Sequence, residues 1–501
     1  MGAWGFASQT GGAGGCVLAS WLFLRLLGLI YLAAFVSLAS QIRGLVGGDG
    51  ILPAAEFLAQ HRHWGPNRFW RVPTLCWLNC SDGFLLWQAW GGAALACLLI
   101  VGLAPVPVLV VLWALYLSLF TVGRIFLGYQ WDVLLLEAGF LAIFLAPLEI
   151  VPHFPSVTEP PLLVVWLFWW LLFRLMFSSG AVKLRSGDPT WRNFTALCRH
   201  YETQPLPTPL AWYAHQLPAA IQKVSVAVMF VIELFVPFLI FAPVPARGLV
   251  AVVFMVFMLL IQATGNYCFF NLLGIAVSVL LLGDDVLLAA FRLLWPNLAL
   301  PASAVVAPDW WNWLIVAVAI LIAVLSLAPV VRLFRLEVRW PGWLARWFDV
   351  FDPFRLVNSY GLFALMTTER AEIIIEGSQD GVNWRAYEFK WKPGSVGRAP
   401  RFVAPHQPRL DWQMWFAALG YYPNHPWFSR LLVRLLEGSA PVLALLKENP
   451  FPKAPPRYVR GLLFEYRFTN RLQRRATGAW WQREQRGNYC PTLELGRSAD
   501  G

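Results

Sequence analysis

Long apolar runs separated by short polar breaks fill the chain as far as about residue 340. The first, Val17–Ser40, is interrupted only by Arg25 and has the length of an uncleaved span rather than a signal peptide. From Phe84 to Gly123 no residue is charged, and Pro105 and Pro107 divide this stretch into two spans of roughly 20 residues each. Residues 123–147 turn at Gly128–Trp131 and continue as a span that carries Asp132 and Glu137. Further spans are predicted at 161–182, at 219–242, at 248–264, from the break GNYCFFN (265–271) to Leu282, and at 311–331, where Arg332, Arg335 and Arg339 stop the last. Residues 284–299 are amphipathic and are expected to lie along the membrane surface. The pattern predicts a mainly α, polytopic helical membrane protein with about eight to nine spans.

Two polar loops, 41–83 and 183–218, interrupt this transmembrane part, which is taken as residues 1–340. In the second loop SGDPTW has the form of a helix start, with Asp188 as N-cap and Pro189 at the first helical position. YETQPLPTPL then runs extended, because its alternating prolines forbid a helix. Beyond the last span the periodicity changes. AEIIIEGSQDGVNWRAYEF alternates on either side of Asp380–Gly381, a hairpin signal, whereas LDWQMWFAAL and PWFSRLLVRLLEG have helical spacing, the second ended by Gly438. YVRGLLFEYRFT (458–469) is expected to be a final strand. Residues 341–480 are therefore read as a smaller α+β, β-sandwich-like extramembrane domain, and 481–501 as a basic tail that frays.

Composition supports the membrane assignment: 58% of residues are hydrophobic and 13% charged, with mean hydropathy +0.56, where a soluble domain carries about 25% charged residues. The net charge is +11, but the cations sit at helix ends and through the polar tail without aromatic-basic motifs on strands. Anionic lipid is the expected counter-charge, and nucleic acid is not an expected partner.

The candidate chemistry lies where polar groups meet apolar runs. A carboxylate inside a span costs several kcal/mol unless paired, so Glu137 requires a partner, with Arg124 and Arg174 as the candidates. Asp132 and Glu137 are five residues apart, about 140° around a helix, so they do not form one acid/base or metal pair. Lys183 either snorkels to the interface or, if buried, acts as a base. Asn266 at membrane depth needs partners or lines a cavity. Asp188, Trp191, Tyr201, Glu202 and His215 are the loop residues singled out, and the isolated His200 and His215 match no zinc spacing. Asn79-Cys80-Ser81 and Asn193-Phe194-Thr195 are glycosylation sequons. Cys76 and Cys80, four apart, are a candidate disulfide, and no C-x-x-C is present.

FRLMFSSGAVKLRSGDPTWRNFTAL, HYETQPLPTPLAW, YQWDVLLLEAGFLAIFLAP, GNYCFFNLLG, LDWQMWFAAL, NHPWF and YVRGLLFEYRFT together resemble the lipase maturation factor family over nearly the whole chain. The resemblance implies a multi-pass membrane protein that helps secreted lipases fold and form active homodimers, without cofactor or catalytic residues, its C-terminal part holding the client lipase or another secreted protein. It implies the endoplasmic reticulum membrane in a eukaryote and the plasma membrane in a bacterium. Both polar loops and the C-terminal domain are expected on one face; that face carries most of the Arg and Lys, and it is lumenal by the resemblance although the positive-inside rule would make it cytoplasmic. AVKLRSGDPTW also distantly resembles vitamin K-dependent carboxylase, which would make Lys183 a base and place Glu137, Arg174 and Asn266 in a cofactor cavity. Transport of a small molecule or lipid is a third reading.

Overall fold

The computed structural model describes residues 15–154, 158–300 and 307–495. Among the described residues seven helices are long and apolar enough to cross a bilayer: Val17–Ala39, Asp82–Val101, Pro105–Phe126, Leu162–Arg185, Ala219–Phe241, Val244–Thr264 and Asp309–Phe334. An eighth crossing is made only if Phe270–Val279 and Asp284–Arg292 are joined, and these meet at a bend of 104°. The second of the pair turns off at that bend, and its Asp284 accepts from Val17 N and Leu18 N at the start of the first helix, at 2.8 and 2.9 Å. Gln130–Leu145, expected as a span, is a helix of 16 residues, nearly all of them buried inside the bundle.

The first helix is the bundle's axis, packed against Asp82–Val101, Gln130–Leu145 and Phe270–Val279. Small residues permit this closeness. A Cβ on Gly92 would fall 2.5 Å from the Phe35 ring, and one on Gly139 would overlap the Tyr31 hydroxyl. Helix starts follow local chemistry: Ser81, Asp188 and Thr208 each accept a hydrogen bond from a backbone N–H of the first turn.

The chain then forms a four-stranded antiparallel sheet in the order β2-β1-β3-β4. Its strands are β1 (Arg370–Ser378), β2 (Trp384–Ala386), β3 (Tyr458–Phe468) and β4 (Trp481–Glu494). The β1–β2 turn is the one at Asp380–Gly381, where Gly381 has φ of 75° and Asp380 accepts from the amides of Val382 and Asn383. Two corrections follow. Residues 481–494, expected to fray, are a strand paired along β3. The described residues form one sheet rather than a sandwich, with the helices Arg409–Ala418 and Pro426–Leu436 packed on β1 and β3. One buried core runs without interruption from Leu18 in the first helix to Cys490 in β4, so the α+β part is not a bead on a linker.

Candidate functional site

The two polar loops and the break at 265–271 converge on the C-terminal part. In the first loop Arg434 donates to the Gly50 carbonyl at 2.9 Å and Ser439 to that of Asp49 at 2.7 Å. Where the first helix ends, the Gln41 side chain accepts from Arg409 N at 2.9 Å and donates to the Gln407 carbonyl at 2.8 Å. In the middle loop Asp188 caps its short helix and also accepts from Met366 N at 2.6 Å, while Trp191 Nε1 donates to the Phe363 carbonyl at 3.0 Å. Burial works against the Asp188 carboxylate, but the hydrogen bonds from Met366 and Thr190 outweigh it and hold the pKa below the usual range.

The stretch 201–210, expected to be extended throughout, is helical at both ends, as the last turn of Leu197–Thr203 and the first of Pro209–His215, because its prolines begin only at 205; an arginine holds the non-helical residues between. Arg370, fully buried at the start of β1, donates to the carbonyls of Glu202 (2.8 Å), Gln204 and Pro205 (2.8 Å), and its charge is met by Glu372, which also pairs with Lys392 at 2.8 Å. Glu202 accepts from Phe468 N at 3.1 Å and lies 3.6 Å from His215 Nε2. Burial pulls the His215 pKa down against the opposing effect of Glu202. Tyr201 packs on the Trp212, Tyr466, Phe468 and Trp481 cluster, which joins the loop to the end of the sheet.

The break at 265–271 is an anchor as well. Asn266 uses all four of its side-chain hydrogen bonds on backbone: it donates to the carbonyls of Leu206 (3.0 Å) and Arg401 (2.8 Å), and accepts from the amides of Val403 (2.7 Å) and Ala404 (3.1 Å). Tyr267 gives its one hydroxyl proton to Gln204 at 2.6 Å, so His200 must be the donor across its 3.0 Å contact with the Tyr267 oxygen. Burial, reinforced by the Lys183 charge, lowers His200 to about 4, and the ring is neutral.

Inside the bundle the two carboxylates of Gln130–Leu145 reach different targets. Asp132 takes a bidentate fork from Arg409, at 3.0 and 2.8 Å, and the Tyr116 hydroxyl. Glu137 is paired with Arg174 and accepts from Asn358 N (2.9 Å), Asn358 Nδ2 (3.1 Å) and Tyr360 Oη (2.7 Å). Arg174 is thus the partner of Glu137, whereas Arg124 lies over the Phe57 ring at 5.2 Å. Lys183 is buried and held by both Glu233 oxygens at 2.6 Å, with the Trp191 ring 5.4 Å from Nζ. It neither snorkels nor presents a free amine.

Asn79 and Asn193 are both exposed, and each side-chain oxygen accepts from the amide two residues on, Ser81 at 2.9 Å and Thr195 at 3.1 Å. Cys76 and Cys80 are present as thiols in hydrogen-bond contact with one another. A hydrogen bond from Cys80 brings Cys76 down to about 6, and Gln88 donates to its sulfur at 3.4 Å. Among the described residues no group of three His, Cys, Asp or Glu side chains has metal-binding geometry.

Sequence reasoning missed Glu233, Asn358, Tyr360, Arg370 and Arg409. Glu233 left a signal, as the only carboxylate of the apolar run 219–242. The others lie in polar surroundings, where nothing local marks a residue that will be buried by distant chain.

These elements define a multi-pass membrane protein with an α+β layer built into one end of its helix bundle through buried ion pairs. Profile comparison places a lipase maturation factor transmembrane domain at residues 18–289 and a lipase maturation factor C-terminal domain at 356–491. The chain belongs to the lipase maturation factor family. It is 38% identical to lipase maturation factor 2 of Gallus gallus over 95% of this chain and 81% of that protein. It is 36% identical to lipase maturation factor 2 of Homo sapiens, covering 95% and 82%, and 34% identical to lipase maturation factor 1 of Mus musculus, covering 95% and 87%. No solved structure matches.

Proposed function

We propose that the protein is a membrane-resident maturation factor that holds a secreted lipase, or a similar secreted client, while it folds and pairs with its second copy. The observation that carries this reading is that the family match takes in both the helix bundle and the C-terminal part, over 95% of the chain. Apolar side chains open to a client are present on this part: Phe402, Phe416, Leu419 and Tyr421 are exposed by 58, 40, 46 and 80%. Exposed apolar side chains can bind incompletely folded chains without needing a catalytic group. The polar face is lumenal in a eukaryotic cell and faces away from the cytoplasm in a bacterial one, and the Asn79 and Asn193 sequons receive glycans where the compartment supplies them. The carboxylase-like reading requires an amine free to meet a substrate at Lys183, whereas both oxygens of Glu233 lie 2.6 Å from its Nζ.

The test is co-expression of this chain with a lipase in cells lacking their own maturation factor, measuring secreted active lipase dimer. The intact chain is expected to raise it, and the double variant Phe402→Asp, Tyr421→Asp to lose the effect while melting like the parent. A lipase that matures equally without the chain, or with a variant lacking the C-terminal surface, would contradict the proposal. Exchanging Lys183→Glu with Glu233→Lys separates the enzyme reading, because a structural ion pair survives the exchange and a catalytic base does not.

A further inference from the structure

A groove of about 420 Å³ opens between the Leu162–Arg185 and Asp309–Phe334 helices toward their C-terminal ends. Its volume falls within the range of small-molecule sites, roughly 300–1,000 Å³. Two small positions make the room: Ser178 on one helix and Pro329 on the other. The wall is aromatic, formed by Trp170, Phe173, Phe177 and Phe238, and the last of these is 56% exposed on the outside of the bundle. A cleft between two spans with an apolar wall reaching the bundle's outer surface is open to acyl chains.

The charged residues of the lining itself are cations, with Glu137 lying behind Arg174. The groove lining includes Arg174 and Arg332 and no Asp or Glu. Arg332 is exposed, and Arg185 joins it at the same helix ends by donating to the Phe334 carbonyl at 2.8 Å. Neither has a carboxylate within salt-bridge distance among the described residues, although 17 such bridges occur elsewhere. Arg174 is 4% exposed and its Nε has no hydrogen-bond partner, its other nitrogens being taken by Glu137 and the Asn358 carbonyl. Cations at the mouth and an unmet donor on the wall call for an occupant with an anionic, oxygen-rich head and a long apolar tail.

We propose that this groove binds one anionic phospholipid, with an acyl chain along the aromatic wall and the phosphate between Arg332 and Arg185. Because residues 358–360 form part of the lining and also bond to Glu137, the lipid braces the same segment that docks the C-terminal part.

The intact protein, purified in a mild detergent, is titrated with palmitoyl-oleoyl phosphatidylglycerol and separately with the phosphatidylcholine of the same chains, and bound lipid is counted by native mass spectrometry. One phosphatidylglycerol is expected to be retained in preference to phosphatidylcholine, with a preference falling roughly fivefold for each of Arg332→Gln and Arg185→Gln. Val330→Trp, which fills the groove, is expected to remove the bound lipid of either kind, and Arg292→Gln, at the opposite end of the bundle, to change nothing. Equal retention of the two lipids by the parent, or an undiminished preference in Arg332→Gln, overturns the proposal. Arg332 is at the surface and its variant needs no repacking, so that arm decides the matter even if Val330→Trp fails to fold.

Discussion

Two carboxylates on one short helix carry the residue-scale account. Asp132 and Glu137 are fully buried, and each meets charge or N–H donors brought from more than two hundred residues away, Arg409 in one case and Asn358 in the other. A lone buried charge costs far more than a buried pair gains, so the sign of a mutation depends on what is left behind. Asp132→Asn is expected to destabilise the protein by about 3–5 kcal/mol, measured as thermal unfolding in detergent, by stranding the Arg409 guanidinium. The double change Asp132→Leu, Arg409→Met should recover a large part of that loss. That Glu137 needed a partner was legible in the sequence, and so was Arg174 as one of two choices. Arg409 was not, since an arginine opening an amphipathic helix looks like a solvated one.

Of the histidines whose pKa burial depresses, His200 and His406 are shifted furthest. Burial lowers His200 and His406 from 6.5 to about 4, aided by Lys183 in the first case and by Arg409 and Lys390 in the second. A base whose folded pKa is depressed contributes stability that is complete above its unfolded value and is lost as pH falls. Melting temperature should therefore hold steady above pH about 6.5 and fall between there and pH about 4, with roughly 3 kcal/mol at stake per histidine. His200→Gln, which keeps a donor for Tyr267, should flatten part of this fall, and a profile that rises on acidification would refute the assignment.

Among the elements, the apolar runs were the easiest to read, because a long uncharged stretch bounded by prolines or arginines has few alternatives to a span. The exceptions have a physical cause. Gln130–Leu145 is shorter than a bilayer needs yet survives because protein, not lipid, surrounds it. β4 escaped notice because WQREQRGNYCPTLE is an edge strand, polar on most positions and broken by Gly487 and Pro491, which is how edges avoid sticking to other chains. The GNYCFFN break was visible as a polar interruption, but its use was not: Asn266 clips the 401–404 backbone to the 206 carbonyl. Asn266→Ala should leave the spans in place and raise amide hydrogen exchange at 401–404 and around 206, and unchanged protection there would show that the clip is dispensable.

For the molecule as a whole, the polar loops, the break and the sheet form one packed layer at one end of the bundle, continuous with the membrane core. The opposite end includes residues 146–154, where the Ile150 carbonyl accepts from Ala104 N and Phe154 packs on Trp21 near the start of the first helix. The hydrophobic pattern carried this two-sided arrangement from the outset, whereas the docking itself depends on contacts between residues hundreds of positions apart and is written in no local motif.

Sidedness is therefore the most direct check. In sealed vesicles, single cysteines are introduced into a cysteine-free chain at the exposed positions Leu78, Arg192, Glu484 and Val151 and labelled with a membrane-impermeant maleimide before and after the vesicles are opened. Leu78→Cys, Arg192→Cys and Glu484→Cys should all react from the same side and Val151→Cys from the other. If any of the first three labels together with Val151, the shared layer does not exist and the account fails.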